Sequence, residues 1–390
     1  MNKKILLIPI LIIFAQAFIF AFINLSDKSD ALANERKIYE SADPENNYKN
    51  LFSDSFIFFG DKEINNISLT LNSSSIKEDE DLFIDIKEEK NNNKYYFEIT
   101  NLENSEKLYF ETDSLPAKIK PLSFNPGNYQ INLRFNNDGK YYQAEDKINV
   151  ISSDKNPICN QDIGQCRLNN VYYYFDKSDY SYNFLDYGRY LVLLTDKYQE
   201  EIYNLLHQYP GVFTNIVIAN NFSADSTSTI SKIYTGGKVE KTIMLSKNEY
   251  LYSDLSGFKK FYYTEAKAGV IIHELAHYLK TPKNSEIIPE LSWINEGISD
   301  YTRDKLGFSS NVSGQYPHCE NGKSYLDGYE CAADFFVFIE NKYHKSIPKQ
   351  FVSQLEIGIG TDYNSFTKAL FNDYIGKDVE TLWNEYKLNK

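Results

Sequence analysis

The 390-residue sequence predicts a small all-β sandwich over residues 51–152 followed by an α+β domain over residues 153–390. Three observations carry that reading. Short runs of alternating apolar and polar residues fill the first stretch, the period-two pattern of half-buried strands. Strand-like runs alternate with long helix-like stretches in the second, which points to a mixed sheet covered by helices. The balance of 42% hydrophobic and 24% charged residues is that of an ordinary globular chain. A chain this long buries a large core without needing a metal ion or disulfides merely to fold.

The N-terminus precedes both parts. Lys3 and Lys4 lead into an apolar run over residues 5–23, broken only by Pro9 and Gln16. Nineteen helical residues span roughly 28 Å, close to a bilayer core, and exceed the usual hydrophobic stretch of a signal peptide, about 7–15 residues. Ala15-Gln16-Ala17 and Ala31-Leu32-Ala33 both have the small-residue form of a cleavage site; the first leaves an apolar stub and the second follows polar residues. A retained membrane anchor over residues 1–25 is favoured over a cleaved signal peptide. In either case the lysines stay inside and the rest is exported, so the expected location is extracellular or at the cell surface. Residues 26–50 are polar and read as a linker. Four cysteines suit an oxidising compartment. Cys159 and Cys166 are seven apart, Cys319 and Cys331 twelve apart; local pairing is the simplest of three connectivities, and the spacings do not suggest a cysteine-ligated zinc finger. A net charge of −13 without a basic stripe argues against a nucleic-acid partner. The 32 tyrosines read as core and strand packing rather than a ligand platform.

The alternating runs of the first part lie at residues 67–71, 82–86, 95–99 and 129–135, with Asn91-Asn92-Asn93 and Asn136-Asn137-Asp138-Gly139 as turns. That rhythm predicts a β-sandwich. Asn125-Pro126-Gly127-Asn128-Tyr129 resembles the late strand of immunoglobulin-like modules on bacterial surface proteins. The resemblance implies a fold class and leaves a surface ligand and a folding prosegment as competing roles.

In the second part, residues 171–175 read as a strand and roughly 185–208 as a helix ended by Pro210-Gly211. Residues 215–219 and 242–246 read as strands. A helix is expected over 264–280, with Thr264 as N-cap, Glu265 in the first turn and Thr281-Pro282 as the stop. Further helices are expected over 293–306 and 327–342, and the tail over 346–386 reads as helical in pieces. No internal repeat is present.

The helix over 264–280 carries His273-Glu274-Leu275-Ala276-His277. Two histidines four apart share one helix face, so both imidazoles can bind one zinc ion while Glu274 reaches a water beside it. A hydrolytic zinc site uses three protein ligands and keeps one position open. Glu296 is the expected third ligand, separated from His277 by eighteen residues, room for a helix end, a turn and a returning helix. Asp300, four after Glu296 on the same face, is placed to accept a hydrogen bond from the second nitrogen of a ligating histidine. With five histidines in the chain, a chance pair flanking a glutamate at this spacing is the weaker alternative. His207, His318 and His344 read as surface or packed residues, with His318 a reserve for lining the cleft.

H-E-x-x-H, seventeen residues, then N-E-x-x-x-D is similar to the gluzincin metallopeptidases. The resemblance implies a zincin-like fold, one catalytic Zn2+ held by His273, His277 and Glu296, Glu274 as the base, and Asp300 orienting a histidine. Residues 269–386 more closely resemble the basic secretory protein family, peptidases of plants and bacteria. Glu296-Gly297-Ile298-Ser299-Asp300-Tyr301, the block from Gly328 to Phe336, and the closing block from Val379 to Tyr386 resemble that family's motifs in order. Asp334 stands where the family usually has Arg, and Tyr325 where Trp is common, which bears on substrate preference rather than on the metal set. Tyr329, in the family-like Gly-Tyr pair, is the candidate donor to the oxyanion, with His318 and Tyr301 as reserves; a packed helix-start tyrosine is the alternative. The strand around Met244 is a candidate for pairing with an extended peptide or protein substrate. The rival functions are a surface binding or adhesin module with a degenerate or structural zinc site, and a zinc hydrolase acting on a non-peptide amide.

Overall fold

Alternation builds the first part of the molecule. In a computed structural model of the chain, residues 63–87, 94–105, 107–112, 115–119, 122, 124–175, 184–207, 215–221, 227–233, 239–246, 257–280, 289–308, 319–320, 322–357 and 363–389 are described. The expected anchor over 1–25, the linker over 26–50 and His318 lie outside them. Among the described residues no helix is long and apolar enough to cross a membrane.

Strands β1 (Ile64–Asn66), β2 (Leu69–Leu71), β3 (Ser75–Lys77), β4 (Leu82–Ile86), β5 (Tyr95–Asn101), β6 (Lys107–Thr112), β7 (Ala117–Ile119), β8 (Gly127–Asn137) and β9 (Lys140–Ile151) form two sheets. One runs β1-β9-β8-β5-β6, with β3 also on β9; the other runs β2-β4-β7. Every second residue points inward: Leu82, Ile84 and Ile86 from the small sheet meet Tyr95, Phe97, Ile99, Ile131, Leu133 and Phe135 from the large one in a shared core. The β8–β9 hairpin turns on Asp138 (φ 51°) and Gly139 (φ 77°). Two consecutive positive φ values give the tight turn whose twist matches that of the strands, and Asp-Gly is a preferred pair for it.

The second part is a mixed sheet with helices packed on it. Strands β10 (Ile158–Asn160), β11 (Gln165–Leu168), β12 (Val171–Tyr174), β13 (Ile216–Asn221), β14 (Ser228–Ile233) and β15 (Val239–Ser246) lie in the order β10-β11-β12-β13-β15-β14. β12, β13 and β15 are parallel; β14 runs antiparallel to β15. Both cysteine pairs are local, Cys159–Cys166 across the β10–β11 hairpin and Cys319–Cys331.

The helices are α1 (Phe184–Leu206), α2 (Gly257–Lys280), α3 (Ser292–Lys305), α4 (Tyr329–Tyr343), α5 (Ile347–Ile357), α6 (Tyr363–Thr367) and α7 (Val379–Asn389). α2 packs against α1 and α3, and α3 against α4. Strands and helices share one apolar core from Val171 and Tyr173 through Leu191, Ile218 and Ile272 to Phe335, Phe371 and Trp383.

Three expectations shift. α2 starts at Gly257, so Thr264 lies inside it rather than capping it; no strong helix breaker stands between Gly257 and Thr264. The helix expected over 327–342 is divided by Gly328 (φ 74°) and Tyr329 (φ 42°), which follow a 3-10 turn at Tyr325–Asp327. The strand around Met244 is not a sheet edge: β15 is paired with β13 on one side and β14 on the other.

Candidate active site

Two close helix approaches assemble the motif residues. A Cβ on Gly269 of α2 would stand 2.7 Å from the Phe308 carbonyl oxygen and 3.3 Å from Arg303 Cδ. A Cβ on Gly297 of α3 would stand 2.3 Å from Ala332 Cβ on α4. Glycine at these points lets α3 sit tightly between its two neighbours.

The packing brings His273, Glu274, His277, Glu296 and Asp300 together. His273 Nε2 and His277 Nε2 are 3.0 Å apart, and Glu296 Oε2 is 3.2 Å from each. This His-His-Glu group could hold a metal ion. The fit is good: a tetrahedral ion with bonds of about 2.0–2.1 Å spaces its ligand atoms about 3.3 Å apart.

The far sides of both imidazoles are held. His273 Nδ1 donates to Asp300 Oδ1 at 2.7 Å, which leaves Nε2 with its lone pair toward the Glu296 side. Asn295 Nδ2 lies 3.2 Å from His277 Nδ1 while Asn295 Oδ1, buried, has no partner. Turning that amide over gives Oδ1 a donor in His277 Nδ1–H and frees the Nε2 lone pair. The donor set therefore reaches its metal-binding tautomers by satisfying an orphaned oxygen. Arg303 Nη2 stands 3.4 Å from Asp300 Oδ1 on the outside of this chain.

Charges in the site compete. Without an ion, burial disfavours a charged His273 ring, yet the Asp300 and Glu296 carboxylates outweigh it and hold its pKa up to about 10, so a bound ion would have to displace the Nε2 proton to reach the lone pair. Burial and the nearby Lys280 charge pull His277 down to about 4. Glu296 is held well below the ordinary carboxyl range by His277 and His273, against the opposing effect of burial. Asp300 is lowered by Arg303 and His273, again against burial. Glu274 moves the other way: burial pushes it up to about 7, against His273 and hydrogen bonds from Thr229. Thr229 Oγ1 also donates to the Glu274 backbone carbonyl at 2.9 Å, joining β14 to α2.

The tyrosine candidates separate. The Tyr329 ring lies roughly parallel to that of His273, centroids 6.2 Å apart, at a backbone angle that L-residues seldom adopt. Tyr301 is buried with its hydroxyl on Glu340 at 3.0 Å, committed to α4 rather than to the ligand cluster. His207 stacks on Tyr203 and meets the Leu279 carbonyl at the end of α2, and His344 is an exposed left-handed residue ending α4. Asp334 accepts from the Cys319 backbone N–H at 3.1 Å and the Tyr386 hydroxyl at 2.8 Å. Its place in the second family-like block thus serves to tie the disulfide loop to α7.

Asn295, Thr229 and Arg303 had no role in the sequence reading. Asn295 had a signal, because it precedes the ligand candidate in N-E-x-x-x-D. Thr229 had none: β14 is mostly polar and did not read as a strand.

No curated protein matches the chain. A family model does, and its match starts inside α1, runs through β13, β14, β15 and the His-His-Glu cluster, and stops in α7. Residues 198–386 match the family described as BSP, peptidase of plants and bacteria.

Proposed function

We propose that the chain is an exported, membrane-anchored zinc metallopeptidase of gluzincin type, with a zincin-like catalytic domain behind an immunoglobulin-like module. One observation carries the reading: His273 Nε2, His277 Nε2 and Glu296 Oε2 converge with Glu274 beside them, inside the peptidase-family match. His273, His277 and Glu296 would hold the ion. When bound, it supplies Lewis-acid activation of a water and of the scissile carbonyl.

The chain's own groups do the rest. Asp300 keeps the His273 proton on Nδ1. Asn295, with its amide turned, does the same for His277. The Glu274 carboxylate takes a proton from the attacking water and passes it to the departing amide nitrogen; a pKa lifted to about 7 by burial suits both steps. The Tyr329 hydroxyl donates to the developing oxyanion, a role to which its strained backbone lends support. An extended substrate adds to β14, the sheet's outermost described strand on the α2 side, replacing β15 in that role.

The test uses the full chain and Glu274→Gln, assayed for zinc content and for cleavage of a mixed peptide library. The wild type should bind one zinc ion and cleave, with chelator abolishing cleavage. Glu274→Gln should keep the ion and lose turnover by at least about 1,000-fold. Tyr329→Phe in the same assay should keep the ion and lose about 100–1,000-fold. Equal zinc content with no cleavage by the wild type would favour a binding role or a non-peptide amide substrate over this reading.

A further inference from the structure

Lys280 is the last residue of α2, three after His277 and so on nearly the same helix face. Its side chain has no solvent exposure. Nζ donates to Ser299 Oγ at 2.8 Å and to the Asn295 carbonyl oxygen. Both acceptors belong to α3, and they bracket Glu296 in sequence.

An ammonium in such a place is costly to bury, by several kcal/mol before compensation. Its cost shows in a pKa drawn down to about 7 by burial. The packing alone does not call for it, since an unbranched apolar side chain of similar length would fill the same volume. Nor does the helix need it, because a carbonyl in the body of α3 has a backbone N–H one turn on to serve it. What the ammonium adds is a directional tie between two helices. The tie lands on the residue that also serves the cluster: the Asn295 backbone carbonyl accepts from Lys280 while its side-chain amide faces His277 Nδ1 at 3.2 Å. Glu296, next in sequence, meets His277 Nε2 at 3.2 Å. The surrounding carboxylates of Glu296, Glu274 and Asp300 favour the charge, and Lys241 opposes it.

We propose that Lys280 is a positioning residue of the metal site, tying α3 to the end of α2 so that Asn295 and Glu296 meet His277 at ligand distance. This rests on the metallopeptidase reading above. Lys280 touches neither the ion nor the substrate in this role. It sets the register of one helix against the other, and the geometry of the third ligand follows.

The experiment measures Zn2+ affinity of the metal-stripped full chain by chelator competition, and the visible spectrum of its Co2+ form. The variants are Lys280→Met, which keeps length and loses the ammonium, and Ser299→Ala, which keeps the lysine and loses one acceptor. Lys280→Met should weaken Zn2+ binding about 10–100-fold and change the position or intensity of the Co2+ bands. Ser299→Ala should move both in the same direction by less than about tenfold. Wild-type affinity and spectrum in Lys280→Met, with only the melting temperature altered, would overturn the proposal in favour of packing. If Lys280→Met does not fold, Ser299→Ala decides alone, and no change in its affinity or spectrum overturns the proposal. A wild-type chain that binds neither Zn2+ nor Co2+ ends the metal reading itself, and the Lys280 role with it.

Discussion

The cost of the site is concentrated in single side chains, and Glu274 shows it most directly. Burial lifts its carboxyl from 4.5 to about 7 in the folded, metal-free chain. A group with a raised folded pKa holds its proton more tightly folded than unfolded. Below about pH 4.5 both states are protonated and the residue costs nothing. Between 4.5 and 7 the unfolded chain ionises first, and above 7 the full penalty stands at about 3 kcal/mol. Glu274→Gln removes the ionising group. The metal-free variant should therefore unfold at higher urea than the metal-free wild type at pH 8, and the two should converge near pH 4. An equal difference at both pH values would show that ionisation of Glu274 is not the source. The same scale explains what the sequence made legible. Helix periodicity puts His273 with His277, and Glu296 with Asp300, on common faces, while the roles of Glu274 and Glu296 come from the H-E-x-x-H motif, its distance to N-E-x-x-x-D and the resemblance those carry. Asn295, Thr229 and Lys280 could not be placed, because their roles depend on which helix or strand arrives opposite them, and that is set by packing.

At the level of elements, the approach of α3 to α4 decides where Glu296 sits. Gly297 follows Glu296 directly, and a Cβ there would meet Ala332 Cβ at 2.3 Å, Phe336 Cε2 at 3.0 Å and the Ala332 backbone at 3.3 Å. Alanine gains about 1 kcal/mol over glycine in a helix interior. Overpacking costs about 1–3 kcal/mol, and a 2.3 Å contact between two Cβ atoms cannot be relieved by a rotamer change, so the helices must part. Gly297→Ala should lose up to about 2 kcal/mol net and weaken Zn2+ binding about tenfold, measured by thermal melting and chelator competition. A variant that melts higher than the wild type would show that propensity wins over contact. Most helices and the inner strands were readable because their apolar residues recur at 3.6 or 2. The boundaries that moved have local causes: α2 runs seven residues further back because nothing stops it, and α4 starts late because Gly328 and Tyr329 take positive φ beside α3. A Cβ on Gly328 would stand 3.5 Å from Trp293 Cα, an approach no pattern of side chains announces. β14 escaped notice because a strand of Ser-Thr-Ile-Ser-Lys-Ile carries too little apolar alternation to be told from a loop.

For the whole molecule, the question is whether the all-β part is a passenger or a partner. It has its own core, yet it is fastened to the mixed-sheet part at buried points. Glu78, from the β3–β4 turn, is nearly fully buried and takes both arms of Arg189 on α1, with Nη1 to Oε2 at 3.0 Å and Nη2 on Oε1. The same carboxylate accepts from the Ser153 backbone N–H at 2.9 Å, and Leu122 packs into the core of the mixed-sheet part. A paired fork of this kind is directional and strong, whereas removing one partner leaves the other buried charge exposed to its full desolvation cost. Arg189→Met strips the fork from a buried carboxylate and leaves it only the Ser153 N–H. Because Arg189 itself is about a third exposed, the loss should be about 1–3 kcal/mol rather than the larger value of a fully buried pair. Calorimetry tests the coupling. The wild-type chain should unfold in one transition, and Arg189→Met in two, with the all-β part melting first at lower temperature. Two separate transitions already present in the wild type would mean that the clasp does not unite the two cores. A single wild-type transition that splits in Arg189→Met counts Glu78 among the residues that hold α1, and through α1 the helix bearing His273 and His277, in place.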